Sequence, residues 1–155
     1  MRSVRRVQTL LAGSSLDPVP LTTTPQIMTL PIHDLFVRTL HVEQDSSGAK
    51  LEVLRYSDHL LRRFGFAEVV FLKRDQVRPA ESRKIADEVW ALVEGIVQFT
   101  WRDLRPSSPT HHATYLLDCN EPTLVLVPFG VEFEVRAMDG PSQLLRLSTH
   151  EIDEK

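Results

Sequence analysis

The residues best suited to chemistry fall in one stretch, Arg78, Glu81, Arg83 and Glu88, with Trp90, Phe133 and Arg146 as further candidates to line a ligand site. A carboxylate shielded from water can be tuned toward neutrality and serve as a proton acceptor, which makes Glu81 the one candidate catalytic residue. Arg78 and Arg83 argue the other way, because a nearby cation lowers a carboxylate pKa. Glu81 is therefore either a base or one arm of an ion pair with Arg83 or Arg78, and the two neighbouring guanidiniums favour the pair. Arg78 can anchor a phosphate or pair with Glu81 or Asp75. Trp90 and Trp101 flank a turn. Each packs into a core or stacks on a sugar or a base, and a small domain needs large core residues.

Other constellations are weaker. His111 and His112 are adjacent, and neighbouring side chains on an extended chain point apart, so chelation by this pair is not expected. His33, His41 and His59, with Tyr56, are expected on the surface or at the mouth of the fold. No phosphate-binding loop, dinucleotide fingerprint, nucleophile elbow or zinc-protease motif occurs. The net charge of −3 gives no footprint for nucleic acid, and the basic Lys73, Arg74 and Arg78 sit among carboxylates. The single cysteine, Cys119, excludes an internal disulfide and fits a reducing cytoplasm. No stretch reaches the ~20 apolar residues of a membrane helix, so no membrane partner is expected.

These residues must be positioned by strands. Residues 1–30 carry a basic start and then Ser, Thr and Pro (Pro18, Pro20, Pro25), a composition that buries little, and an extended or disordered arm is expected. One domain over 31–155 follows. Apolar and polar residues alternate over Leu35–Val42, Leu51–Tyr56, Phe66–Leu72, Glu88–Val93, Ile96–Trp101, Ala113–Leu117, Thr123–Val127, Val131–Met138 and Gln143–Leu147. Arg55–Arg63 reads as one helical turn or a loop, and Arg78-Pro79-Ala80 as a breaker. Glu94-Gly95 between two β-rich runs predicts a tight hairpin. About nine short strands and no long amphipathic helix predict an all-β, antiparallel barrel or jelly roll.

Two spaced motifs sharpen this. Glu88 is followed by six residues and Gly95, and Val127-Pro128-Phe129-Gly130-Val131 supplies a Pro-x-Gly turn. This frame resembles the cupins, whose fold is a double-stranded β-helix with three His and a Glu pointing inward to hold a divalent metal. Here Glu81, Arg83 and Phe133 stand at the His positions and only Glu88 remains. A guanidinium that never deprotonates and a phenyl ring are no ligands, so no metal and no cofactor are expected.

Within the cupins, residues 36–150 resemble the RmlC-like proteins, the dTDP-4-dehydrorhamnose 3,5-epimerases and dTDP-sugar isomerases. The resemblance rests on Asp45-Ser46-Ser47-Gly48, Val77-Arg78, Asp103-Leu104-Arg105 followed by Ser108-Pro109-Thr110, and the Pro128–Gly130 turn. It implies metal-free proton chemistry beside a sugar ketone, with a His base and a Tyr acid. The base position is Glu81, the strand that carries the Tyr reads Leu144-Leu145-Arg146-Leu147, and an early Arg is Ser47. The resemblance also implies a homodimer. Three functions remain open: a diverged epimerase or isomerase using Glu81, a non-catalytic cupin that binds a sugar or nucleotide-sugar, and a structural or regulatory cupin with a filled barrel.

Overall fold

The computed structural model describes residues 30–151. The arm expected over residues 1–30 lies outside the described residues except for Leu30. Eleven strands make up the described fold: β1 (Phe36–Thr39), β2 (Val42–Asp45), β3 (Gly48–Leu51), β4 (Phe66–Leu72), β5 (Val77–Glu81), β6 (Glu88–Glu94), β7 (Val97–Asp103), β8 (Thr114–Cys119), β9 (Thr123–Val127), β10 (Val131–Ala137) and β11 (Ser142–Ser148). β1-β9-β6-β11-β4 form one sheet and β5-β10-β7-β8 a second, while among the described residues β2 and β3 pair only with each other. All pairings are antiparallel. After β4 the chain passes repeatedly from one sheet to the other, so the all-β jelly-roll barrel is the observed fold.

Alternation within each strand builds the interior. In β7 and β10 the inward residues Val97, Phe99, Trp101, Val131, Phe133 and Val135 are buried, while their neighbours face outward. Phe99, Trp101 and Phe133 meet with ring centroids 5.4–5.8 Å apart and fill the barrel below its open end. Full burial of one such side chain contributes about 1.5–3 kcal/mol, so this cluster supplies much of the core. β6 is buried on both faces, because Leu51, Leu54, Leu60 and Leu61 cover its outward Val89 and Ala91. Core packing is thus the role of Trp101, which is fully buried.

Several expectations change. Glu94-Gly95 is not a hairpin. β6 and β7 lie in different sheets, and the turn carries the chain across the barrel edge. Gly95 has φ +104°, and a Cβ there would collide with Ser142 Oγ and the Pro141 carbonyl. The Leu35–Val42 run divides into β1 and β2, in separate sheets. Leu51–Tyr56 is not a strand beyond Leu51, and the only helical turn in the stretch that follows is Tyr56–Asp58. There Asp58 Oδ2 accepts from the Arg55 amide at 2.8 Å and from Arg38 Nη2 at 3.1 Å. Arg78-Pro79-Ala80 does not break the chain but lies inside β5. That strand is an edge, and its register with β10 shifts between Phe133 and Val135, where a residue without an N–H is tolerated.

Candidate ligand cavity

All seven residues singled out in the sequence line a single cavity of about 360 Å³ at the open end of the barrel: Arg78, Glu81, Arg83, Glu88, Trp90, Phe133 and Arg146. Arg78 and Glu81 come from β5, Glu88 and Trp90 from β6, Phe133 from β10 and Arg146 from β11. Phe133 and Glu81 are cross-strand partners, as are Arg146 and Trp90, so the register brings distant positions together. Trp90 and Phe133, 5.5 Å apart, form the apolar part of the lining with Val127, Val131 and Val135. The three valines escaped the sequence reading, although Val131 and Val135 share the alternation of Phe133.

The polar part is an ion-pair chain. Glu88, only 4% exposed, accepts from Arg83 Nε at 2.8 Å and from Arg146 Nη2 at 2.7 Å on Oε1. Its Oε2 accepts from Arg146 Nε at 3.0 Å and from the Trp90 indole at 2.8 Å. Arg83 Nη2 reaches Glu81 Oε2 at 3.0 Å, and Arg146 Nη1 reaches Glu68 Oε1 at 2.7 Å. Burial pushes the Glu88 carboxyl upward, but the hydrogen bonds and charge of Arg146, with Arg83 and the indole, outweigh it and hold the group below its ordinary value. A carboxylate so held stays ionised and anchors charge rather than exchanging protons. Glu68 had no sequence signal, since only the β4–β11 register sets it opposite Arg146.

A second carboxylate braces this wall. Asp103 is fully buried and accepts from Arg105 Nε at 2.9 Å, Ser108 Oγ at 2.6 Å and Thr110 Oγ1 at 2.8 Å. The hydrogen bond from Arg105 is the main reason its pKa lies far below the usual carboxylate value. Arg105 also binds Asp34 and the His33 carbonyl, which ties the start of the described chain to this loop. Its Cγ lies 2.5 Å from where a Cβ on Gly130 would sit, and Gly130 has φ +80°. The Gly130 amide donates to the Arg83 carbonyl at 2.8 Å. Asp103, Arg105, Ser108 and Thr110 thus hold the turn that holds Arg83.

No family model matches the sequence, and no curated protein does. Solved structures do match. A dTDP sugar isomerase from Desulfovibrio desulfuricans G20 aligns with TM-score 0.72 and 18% identity over 78% of this chain and 80% of its own. NovW, a 4-keto-6-deoxy sugar epimerase of Streptomyces spheroides, aligns with TM-score 0.67 and 22% identity over 80% of this chain and 67% of its own. ChmJ, a 3'-monoepimerase from Streptomyces bikiniensis solved with dTDP-quinovose, aligns with TM-score 0.67 and 18% identity over 78% of this chain and 66% of its own. The fold is that of the RmlC-like cupins.

In this RmlC-like barrel the inward residues do not fit a metal. Both Glu88 oxygens are engaged by guanidinium and indole donors, and the other side chains lining the cavity are arginines, Glu81 and apolar groups, none of them an imidazole or a thiolate. The histidines lie elsewhere. Tyr56 and His59 contact each other on the surface rather than at the cavity mouth. His111 and His112 are exposed but do not point apart. Their ring centroids are 3.6 Å from each other, because the chain turns there and His112 takes φ +70°. His150 is the exception: with Phe66, Ser148 and Glu151 it completes a second recess, about 250 Å³, which shares Arg83, Glu88 and Arg146 with the first. No helix among the described residues is long and apolar enough to cross a membrane.

Proposed function

We propose that the protein binds a sugar or nucleotide-sugar in the barrel cavity, with the family's catalytic His and Tyr replaced. The observation that carries this reading is the division of labour in the cavity. Arg83 and Arg146 are committed to carboxylates, whereas Arg78 lines the cavity with no ion-pair partner among the described residues. An unpaired guanidinium suits a phosphate, and the Trp90–Phe133 surface beside it suits a sugar or base ring. The aromatic cluster fills only the lower barrel, so space for a ligand remains above it. Of the structural neighbours named above, one is a dTDP sugar isomerase and another was solved with dTDP-quinovose. We place the protein in the cytoplasm.

Thermal shift with dTDP and dTDP-sugars tests this. Stabilisation should grow with ligand concentration, by about 2.7 kcal/mol at a hundredfold excess over Kd. A flat response across all of them refutes the binding reading and leaves a structural or regulatory barrel. Catalysis by Glu81 would instead require solvent deuterium to enter a dTDP-4-keto sugar and the Glu81→Gln variant to abolish it. The ion pair of Glu81 with Arg83 weighs against that role, because a base must be able to take a proton.

A further inference from the structure

The two carboxylates on Arg83 are unequal. Glu88 holds Nε from inside the barrel, and its side chain is 6% exposed. Glu81 holds Nη2 from the mouth side, and its side chain is 33% exposed. Arg78 sits three residues before Glu81 on the same edge strand and lines the same cavity. An anion that reaches Arg83 in this cavity therefore meets a carboxylate already seated on Nη2, with Arg78 in the same lining. The charged residues that line the cavity, Arg78, Arg83 and Arg146 against Glu81 and Glu88, leave one positive charge, which Glu68 on Arg146 Nη1 offsets from outside the lining. A neutral site has little attraction for a lone anionic group. A ligand with two adjacent anionic centres gains most by displacing the exposed carboxylate and bridging Arg78 and Arg83.

We propose that Glu81 is a specificity residue rather than a catalytic one: an internal anion on Arg83, which a diphosphate group must displace to bridge Arg78 and Arg83. This rests on the binding reading above and names the part of the ligand that the cavity selects. Arg83 can release Glu81 without losing its anchorage, because its Nε bond to Glu88 is separate. The cost of displacement falls on every ligand that reaches Arg83, and a diphosphate recovers it through two guanidiniums. Neutral ligands gain nothing from the exchange.

Isothermal titration of the full chain with dTDP, and with thymidine as the neutral control, tests the proposal. Glu81→Gln removes the competing charge but keeps the size of the side chain. It should bind dTDP at least about tenfold more tightly than wild type, with thymidine unchanged. The double variant Glu81→Gln/Arg83→Lys keeps the charge but loses the fork, and should lose that gain. Glu81→Ala is a second route to the same gain should the amide find a new partner. If wild type binds dTDP and neither Glu81 variant binds it more tightly, the cavity is a nucleotide site and the proposal is wrong. If only the Glu81 variants bind, Glu81 blocks the site rather than yielding to a diphosphate, and the proposal and the wild-type binding reading both fall. If no variant binds, both fall.

Discussion

Glu88 is the residue on which the cavity wall turns. It carries four hydrogen bonds from three side chains and is almost without solvent contact. Removing one partner of a buried pair leaves the others charged and unpaired, at about 3–5 kcal/mol. Glu88→Ala should therefore lower the unfolding free energy by that amount in urea titration, whereas Glu81→Ala at the exposed mouth should cost under about 1 kcal/mol. The same carboxyl dictates an acid sensitivity. Its folded pKa is depressed, as is that of Asp103. Such groups contribute stability that is present above their unfolded values, ordinarily 4.5 and 3.8, and lost as pH falls through the folded values. The urea midpoint should hold steady from neutrality to about pH 5 and fall steadily below it, and in Glu88→Gln that fall should be shallower.

At the scale of elements, turns and edges position the site. The Pro128–Gly130 turn is read easily in sequence, but its role is set by what it touches: Arg105 on one side and the Arg83 carbonyl on the other. Gly130→Ala should cost about 1–3 kcal/mol, since φ +80° is strained for any side chain and a Cβ would press on Arg105. It should also weaken dTDP binding beyond the loss in stability, because the turn carries the backbone of Arg83. A calorimetric titration well below the unfolding temperature separates the two effects. β5 illustrates the opposite case. Pro79 reads as a breaker, yet an edge strand with a register shift accommodates it, and this hid the strand that presents Arg78 and Glu81.

For the whole molecule, β4 is one of the two outer strands of the five-stranded sheet among the described residues, with Val69 and Phe71 exposed. An apolar edge strand with unpaired backbone groups favours association. We expect a homodimer, in line with the resemblance to the RmlC-like proteins. Sedimentation velocity at micromolar concentration should report twice the 17.7 kDa mass of one chain, and a single monomeric boundary would rule the dimer out. The outer face of the same sheet also shows how the chain economises on core. The 51–61 segment is no strand beyond Leu51, yet its leucines shield Val89 and Ala91. Hydrophobic alternation cannot reveal such a cover, because its apolar residues follow a loop path rather than a period.

By itself the sequence determined the strand-rich class, most strand positions and the Glu88–Gly95 and Pro128–Gly130 frame. Each is a local property: alternation with period two, or a residue at a counted spacing. Tertiary structure alone decided which strands pair, and so that Glu94-Gly95 crosses between sheets, that Glu68 faces Arg146, and that Arg83 is shared between Glu81 and Glu88. Pairing of residues tens of positions apart depends on sheet register, and a one-residue slip would turn every side chain to the other face. The sequence left the charged residues open between a site and an ion-pair network. In the fold they are an ion-pair network that lines a cavity, with Arg78 as the guanidinium it leaves unpaired there among the described residues.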